Sequence, residues 1–211
     1  MGNKLISGAV VIAAALTSAA CGGEPARSGI AEALLPTDAF GAGMEVQRLP
    51  VPERPNPANA GTSVPPDCAA KNLATQVHNA GEVAGQVARS GDRMVVQFVQ
   101  RPAVVTPAAV RDFVASCGIA TFTESGDRVY TSNDPVDVSA LGPVDAAGFH
   151  QTSTNADAAN PQAADSAGVV IERKGVAVYV ATVVTGGGKA DVPSTVALAR
   201  KALDRVTTVL G

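Results

Sequence analysis

Gly168-Val169-Val170-Ile171-Glu172-Arg173-Lys174-Gly175-Val176-Ala177-Val178-Tyr179-Val180-Ala181-Thr182-Val183-Val184 is the stretch that decides the class of fold. Each half is dominated by Val and Ile, which suit the pleated backbone of a strand. Between the halves stands Lys174-Gly175, a pair whose glycine can take the positive φ of a tight turn. Strands joined by so short a link run antiparallel, because a parallel return needs a crossover of a dozen residues or more. An antiparallel sheet is therefore expected.

Downstream, Thr185-Gly186-Gly187-Gly188-Lys189 reads as a flexible connection. Asp191 or Ser194 is placed to cap a last helix with Pro193 in its first turn. Val192, Val196, Ala199, Leu203, Val206 and Leu210 then recur at steps of three and four, one continuous apolar stripe. Upstream, Asn155 to Ala167 holds Ala, Asp, Asn and Gln without large apolar residues, and reads as a solvated loop or a poor helix.

Earlier still, Met94 to Val99 is a strand candidate. Thr106 as N-cap and Pro107 at the first helical position open a helix that buries Val110, Phe113 and Val114 and ends at Cys117-Gly118. Ile119 to Thr123 and Arg128 to Ser132 read as a hairpin about the turn at 124–127. Pro135 to Leu141 alternates like an edge strand. Pro50 to Pro66 carries six prolines and reads as a polyproline-like loop. It leads into a helix begun by Asp67, with Ala69, Leu73, Val77 and Ala80 on one face. The sum is one α+β domain: an antiparallel sheet of about five strands with helices packed on one face.

The N-terminus gives an address. Lys4 precedes Leu5 to Thr17, a run without charge, Pro or aromatics, followed by Ser18-Ala19-Ala20-Cys21. This is the layout of a cleaved secretory signal over residues 1–20. At about 13 residues the apolar run is shorter than the ~20 a transmembrane helix needs. Gly2 also fits an N-myristoylation pattern, but an apolar run ending in Ala-Ala-Cys argues for secretion instead. The small residues before Cys21 resemble a bacterial lipoprotein signal, with Leu16 five positions upstream of the cysteine. That resemblance implies a thioether-linked diacylglyceryl group on Cys21, whose two acyl chains, palmitate among them, anchor where one would bind only marginally. Residues 21–29 would then be the lipidated tether and 30–211 the domain, held on the extracytoplasmic face of the cell membrane.

Composition narrows the function. Without Lys4 the 16 basic residues of the chain become 15, against 19 acidic ones, a formal charge of −4. There is no basic stripe, so nucleic acid is not an expected partner. Trp is absent and aromatics are 3% of the chain. The few Phe and Tyr residues, Tyr130 and Tyr179 included, mostly read as core, which leaves little for stacking sugars or bases. Once Cys21 is acylated, Cys68 and Cys117 remain, an even number that in an exported protein favours a disulfide. The alternative is a metal site with His78 or His150, but the short paired spacings of zinc ligands are missing.

Catalytic signatures are weak throughout. Gly186-Gly187-Gly188-Lys189 lacks the spacing of a phosphate loop, and Ala190 follows the lysine. No Gly-x-Ser-x-Gly elbow accompanies His78 or His150. Asp134, Asp137, Asp145, Glu124 and Asp127 do not follow a calcium-loop pattern. No enzyme activity, cofactor or metal is expected. Phe149, His150 and Gln151, in a polar and aromatic segment near Thr152, Asn155 and Asp157, are candidates to line a ligand cleft; an ordinary loop is the alternative.

Ala33-Leu34-Leu35-Pro36-Thr37-Asp38-Ala39-Phe40 with Gly43, Pro65-Pro66-Asp67-Cys68, Phe113 to Cys117, and the C-terminal strand pair and helix resemble a family of uncharacterised mycobacterial surface lipoproteins. More distantly the chain is similar to the extracellular sensor domain of mycobacterial receptor Ser/Thr kinases. That resemblance implies an α+β fold with disulfides and a ligand cleft; its pattern has two disulfides where this chain can form one. Two functions follow as expectations. One is a non-enzymatic, lipid-anchored module that binds a small ligand, with an amphiphile carrier as a variant. The other is a structural lipoprotein that binds an envelope protein without a pocket.

Overall fold

The computed structural model describes residues 29–50, 61–76, 80–124, 127–155 and 162–211. Its helices are α1 (Gly29–Glu32), α2 (Cys68–Lys71), α3 (Leu73–Gln76), α4 (Pro107–Ser116) and α5 (Val192–Leu210). Its strands are β1 (Glu45–Leu49), β2 (Thr62–Val64), β3 (Glu82–Ser90), β4 (Arg93–Arg101), β5 (Ile119–Glu124), β6 (Asp127–Val136), β7 (Asp145–Asn155), β8 (Gln162–Arg173) and β9 (Val176–Thr185). They form one nine-stranded sheet in the order β1-β3-β4-β9-β8-β7-β6-β5-β2. The expected α+β class and antiparallel sheet are observed, but nine strands replace the expected five or so.

The sheet is covered on both faces, not on one. Val176 to Val183 is buried without a break, so alternate residues of β9 enter two different cores. On one face Val178, Val180, Val95 and Ile171 pack with Ile30, Leu34 and the α5 residues Ala199, Leu203 and Val206. On the other, Tyr179, Val170, Phe98 and Phe149 pack with Phe113 of α4 and with Leu73. A strand buried on both sides reads as a continuous apolar run instead of an alternating one.

Two helix starts are as the sequence predicts. The Thr106 side chain accepts from Ala109 N at 3.2 Å, and the Asp191 carboxylate accepts from Ser194 N at 3.2 Å. The helix expected from Asp67 breaks at Asn72, whose ψ is 118°, leaving α2 and α3. Asp67 makes no side-chain cap; Ser63 of β2 accepts from Ala69 N instead, at 2.7 Å. The expected edge strand 135–141 divides: β6 ends at Val136 and Ser139–Leu141 is a 3₁₀ turn. Pro135 is tolerated inside the sheet because pairing with β5 stops at Ser132, so no neighbour on that side needs its missing donor. Phe149 to Thr152, expected between strands, lie inside the long strand β7, and β8 already begins at Gln162, within the stretch 155–167 expected as a loop or a poor helix.

Buried polar pairs hold the chain where apolar signal is thin. Gln97 Oε1 accepts from Leu35 N at 3.0 Å and from Gln86 Nε2 at 2.7 Å. Gln86 Nε2 also donates to Leu35 O at 2.9 Å. The two amides thus satisfy both backbone groups of Leu35 in the core, where leaving either unpaired would cost about 1–3 kcal/mol. Gly29, at the start of the described chain, lies beside Leu210 at the end of α5.

Candidate ligand-binding face

Strand alternation takes apart the segment Phe149-His150-Gln151. Phe149 is buried on the α4 face, against Gly168, where an added Cβ would fall on the phenyl ring. Gln151 is buried on the same face; its Nε2 donates to Asn133 Oδ1 at 2.6 Å, and Asn133 Nδ2 donates to Cys117 O at 2.6 Å. These two side chains tie the sheet to the end of α4 and line no open cleft.

That end of α4 carries the Cys68–Cys117 disulfide, with Cα atoms 5.8 Å apart. The disulfide expected from the sequence is present, and the metal alternative for these cysteines is set aside. Lys71 adds a bridge from α2 to Asp112 of α4 at 3.0 Å. Its hydrogen bond holds the Asp112 carboxyl below the usual carboxylate range, against the smaller effect of desolvation.

His150 alone of the three projects to the opposite face. Its Nε2 lies 2.9 Å from Asp165 Oδ1, and the same oxygen accepts from Ala190 N at 2.8 Å. A carboxylate oxygen accepts, so His150 Nε2–H is the donor of this bond. Asp165 therefore joins His150 to the connection that enters α5. At that connection Asp191 fills the helix N-terminus itself. Hydrogen bonds from the Ser194 hydroxyl and then its backbone N–H hold the Asp191 carboxyl low. The glycine-rich loop before it thus presents no phosphate cradle.

On the face that holds His150, α5 packs on β8 and β9 and Val138 lies over Gly148 of β7; beyond them no described helix covers this face of β5 and the adjoining parts of β6 and β7. Register places its side chains in rows across the strands. One row runs Val64, Thr121, Tyr130, Thr154 and Ala163. The next runs Ile119, Ser132, Thr152 and Asp165, and beyond it Asp134 stands opposite His150. Val64 is 70% exposed, Ile119 82% and Tyr130 43%, the large apolar side chains that stand out in solvent among the described residues. All three lie on this face, while Val129, Ala120 and Ser63 are buried on the other. Tyr130, expected in the core, is thus on the surface. The alternation Arg128-Val129-Tyr130-Thr131-Ser132 carries the signal, since Val129 and Thr131 are the buried members.

Among the described residues no group of three or more His, Cys, Asp or Glu could hold a metal ion, and no helix is long and apolar enough to cross a membrane. Cys21, the leader and His78 lie outside the described residues.

No family model and no curated protein sequence matches the chain. Solved structures do. An uncharacterised Mycobacterium smegmatis protein, the Rv0999 ortholog, is similar with a TM-score of 0.53 at 16% identity, over 84% of this chain and 96% of its own. The extracellular domain of PknH from Mycobacterium tuberculosis is similar with a TM-score of 0.53 at 17% identity, over 89% of this chain and 100% of its own. The chain shares its fold with both.

Proposed function

We propose that the chain is an extracytoplasmic, lipid-anchored binding module, sensor-like and non-enzymatic, that takes its ligand on the open face of β5, β6 and β7. The observation that carries the reading is that face itself: Val64, Ile119 and Tyr130 exposed together on a half-sheet whose other side is largely buried. Contiguous exposed apolar surface marks binding sites. The fold shared with the extracellular domain of PknH supports an extracytoplasmic setting, as does a disulfide between two buried cysteines.

A photo-reactive diazirine residue in place of Ile119 or Thr154 tests the reading in living cells. Both positions are expected to form covalent adducts, while the same residue in place of the exposed Lys201 of α5 forms none. Equal labelling at all three would remove the reading. The anchor is tested separately. Cys21→Ser is expected to abolish incorporation of labelled palmitate and to move the protein from the membrane fraction to the medium. Unchanged labelling would exclude Cys21 as the acylated residue.

A further inference from the structure

We infer that the open face recognises carbohydrate, an extended glycan laid across the strands with Tyr130 as its stacking platform. The inference rests on the reading of that face as the ligand site and names the class of ligand. Tyr130 stands out of the sheet between Thr121 and Thr154, each directly opposite it in register. The adjacent row offers Ser132 beside Thr152, and Asp134 lies two residues further along β6. An exposed aromatic ring presents a π-face to the C–H face of a pyranose, and its hydroxyl remains free to bond. Side-chain hydroxyls both donate and accept, and a carboxylate accepts two bonds, which matches the mixed donor and acceptor pattern of sugar hydroxyls. Neighbouring strands are about 4.8 Å apart, so the row from Val64 to Ala163 is a flat ledge about 19 Å long.

Composition favours a glycan over a protein here. Protein hot spots are built from Trp, Tyr and Arg and are poor in Ser, Thr and Val, whereas this ledge sets one Tyr among Thr121, Thr154, Ser132 and Thr152, with Val64 and Ile119 at its β2–β5 edge. Its position points the same way. Gly29, eight residues after Cys21, lies beside Leu210, and Lys174 Nζ donates to Gly211 O at 2.7 Å. The chain thus leaves the domain at the end of the sheet that carries the β8–β9 turn. The Tyr130 row meets β8 at Ala163, about 33 Å along the strand from that turn. A tether of eight residues reaches at most about 29 Å. The ledge thus lies at the end of the strands opposite the point of attachment, where surrounding polymer can meet it.

The mature chain from Cys21 onward, in detergent, is tested by co-sedimentation with protein-free peptidoglycan sacculi and by titration with cellotetraose, maltotetraose and chitotetraose. Isothermal titration calorimetry is the readout for the soluble oligosaccharides, so that the parent and Tyr130→Ala are read alike; in the parent, the emission of Tyr130, the exposed one of two Tyr in a chain without Trp, reports on its own face as well. At least one probe is expected to bind saturably. Tyr130→Ala should weaken that binding about tenfold, the scale of one lost stacking contact. Thr121→Val with Thr154→Val should weaken it about threefold, and Lys201→Ala should leave it unchanged. Tyr130 is exposed, so its variant is expected to melt like the parent and to report binding alone. Absence of binding to every probe up to about 10 mM, or equal binding by Tyr130→Ala, would overturn the inference. Diazirine adducts to a protein with no glycan binding would retain the face as the ligand site and overturn the carbohydrate. Absence of adducts at Ile119 and Thr154 would instead remove the reading on which the inference rests.

Discussion

Replacing Cys68 and Cys117 together by Ala is expected to lower the stability of the domain by about 4 kcal/mol. The bridge spans a sequence separation of 49, and closing a loop of that length removes about this much chain entropy from the unfolded state. For a domain of this size the change corresponds to a fall in Tm of about 8–16 °C. Besides the bridge, Leu73, buried in the cluster that holds Phe113, is the main apolar tie of the segment 61–76, and its other ties are slight. β2 contributes three residues at the sheet edge, and the Lys71–Asp112 pair is solvent-exposed, where ion pairs contribute little. Loss of the bridge should therefore loosen β2 and α2 before the rest, and limited proteolysis within 61–76 should outpace global unfolding. Melting curves with and without reductant check the result: reductant should destabilise the parent by the same amount and leave the double variant unmoved. A Tm within about 2 °C of the parent would show that packing, not the bridge, holds the segment.

Local chemistry was legible in the sequence wherever one residue type does one job. Thr106 and Asp191 cap because a short oxygen-bearing side chain can reach the first free N–H groups. The hairpin at 168–184 was legible from its β-branched runs and its Lys174-Gly175 turn; in the structure Lys174 takes φ 50° and Gly175 φ 76°. The missing strands were hidden because their stability comes from neighbours. β3 contains Gly85, where a Cβ would approach Phe98 Cε1 to 2.5 Å, and Gln86, a polar residue tolerated in the core because Leu35 O and Gln97 of β4 accept from it. The middle of β7 likewise depends on Asn133, Gly168 and Asp165 of its flanking strands. The covering of both faces did leave a trace: the unbroken apolar run of β9 lacks the alternation that a half-solvated strand would show. The candidate site was legible only in part. His150 is on the open face as a ligand candidate should be, but adjacent residues of a strand point apart, which a cluster of three consecutive side chains ignores. Tyr130 needed the identity of its buried neighbours, not its own type, to be placed on the surface.

The same alternation sets the second large expectation, that Phe149→Ala destabilises the protein by about 3–5 kcal/mol, the range for removing a buried phenyl ring. Phe149 is 1% exposed and packs in the cluster that also holds Phe98, Val170 and Phe113. A residue lining a ligand cleft would behave in the opposite way: its truncation would leave Tm in place and remove binding. Denaturant titration should therefore show a lower midpoint for Phe149→Ala, and the neighbouring His150→Ala, half-buried on the other face, should lose far less. The size of the effect depends on Gly168, which leaves the ring the space a Cβ would take. Gly168→Ala alone is expected to be costly because the ring has to move, by about 1–3 kcal/mol as for other overpacked cores. With Phe149→Ala in place, the new methyl enters the hole the ring has left. The double variant is then expected to be more stable than the sum of the two single losses predicts, by at least about 1 kcal/mol of coupling. Strict additivity would mean that the ring and the glycine do not share one space, and that the strand register placing Phe149 over Gly168 is wrong.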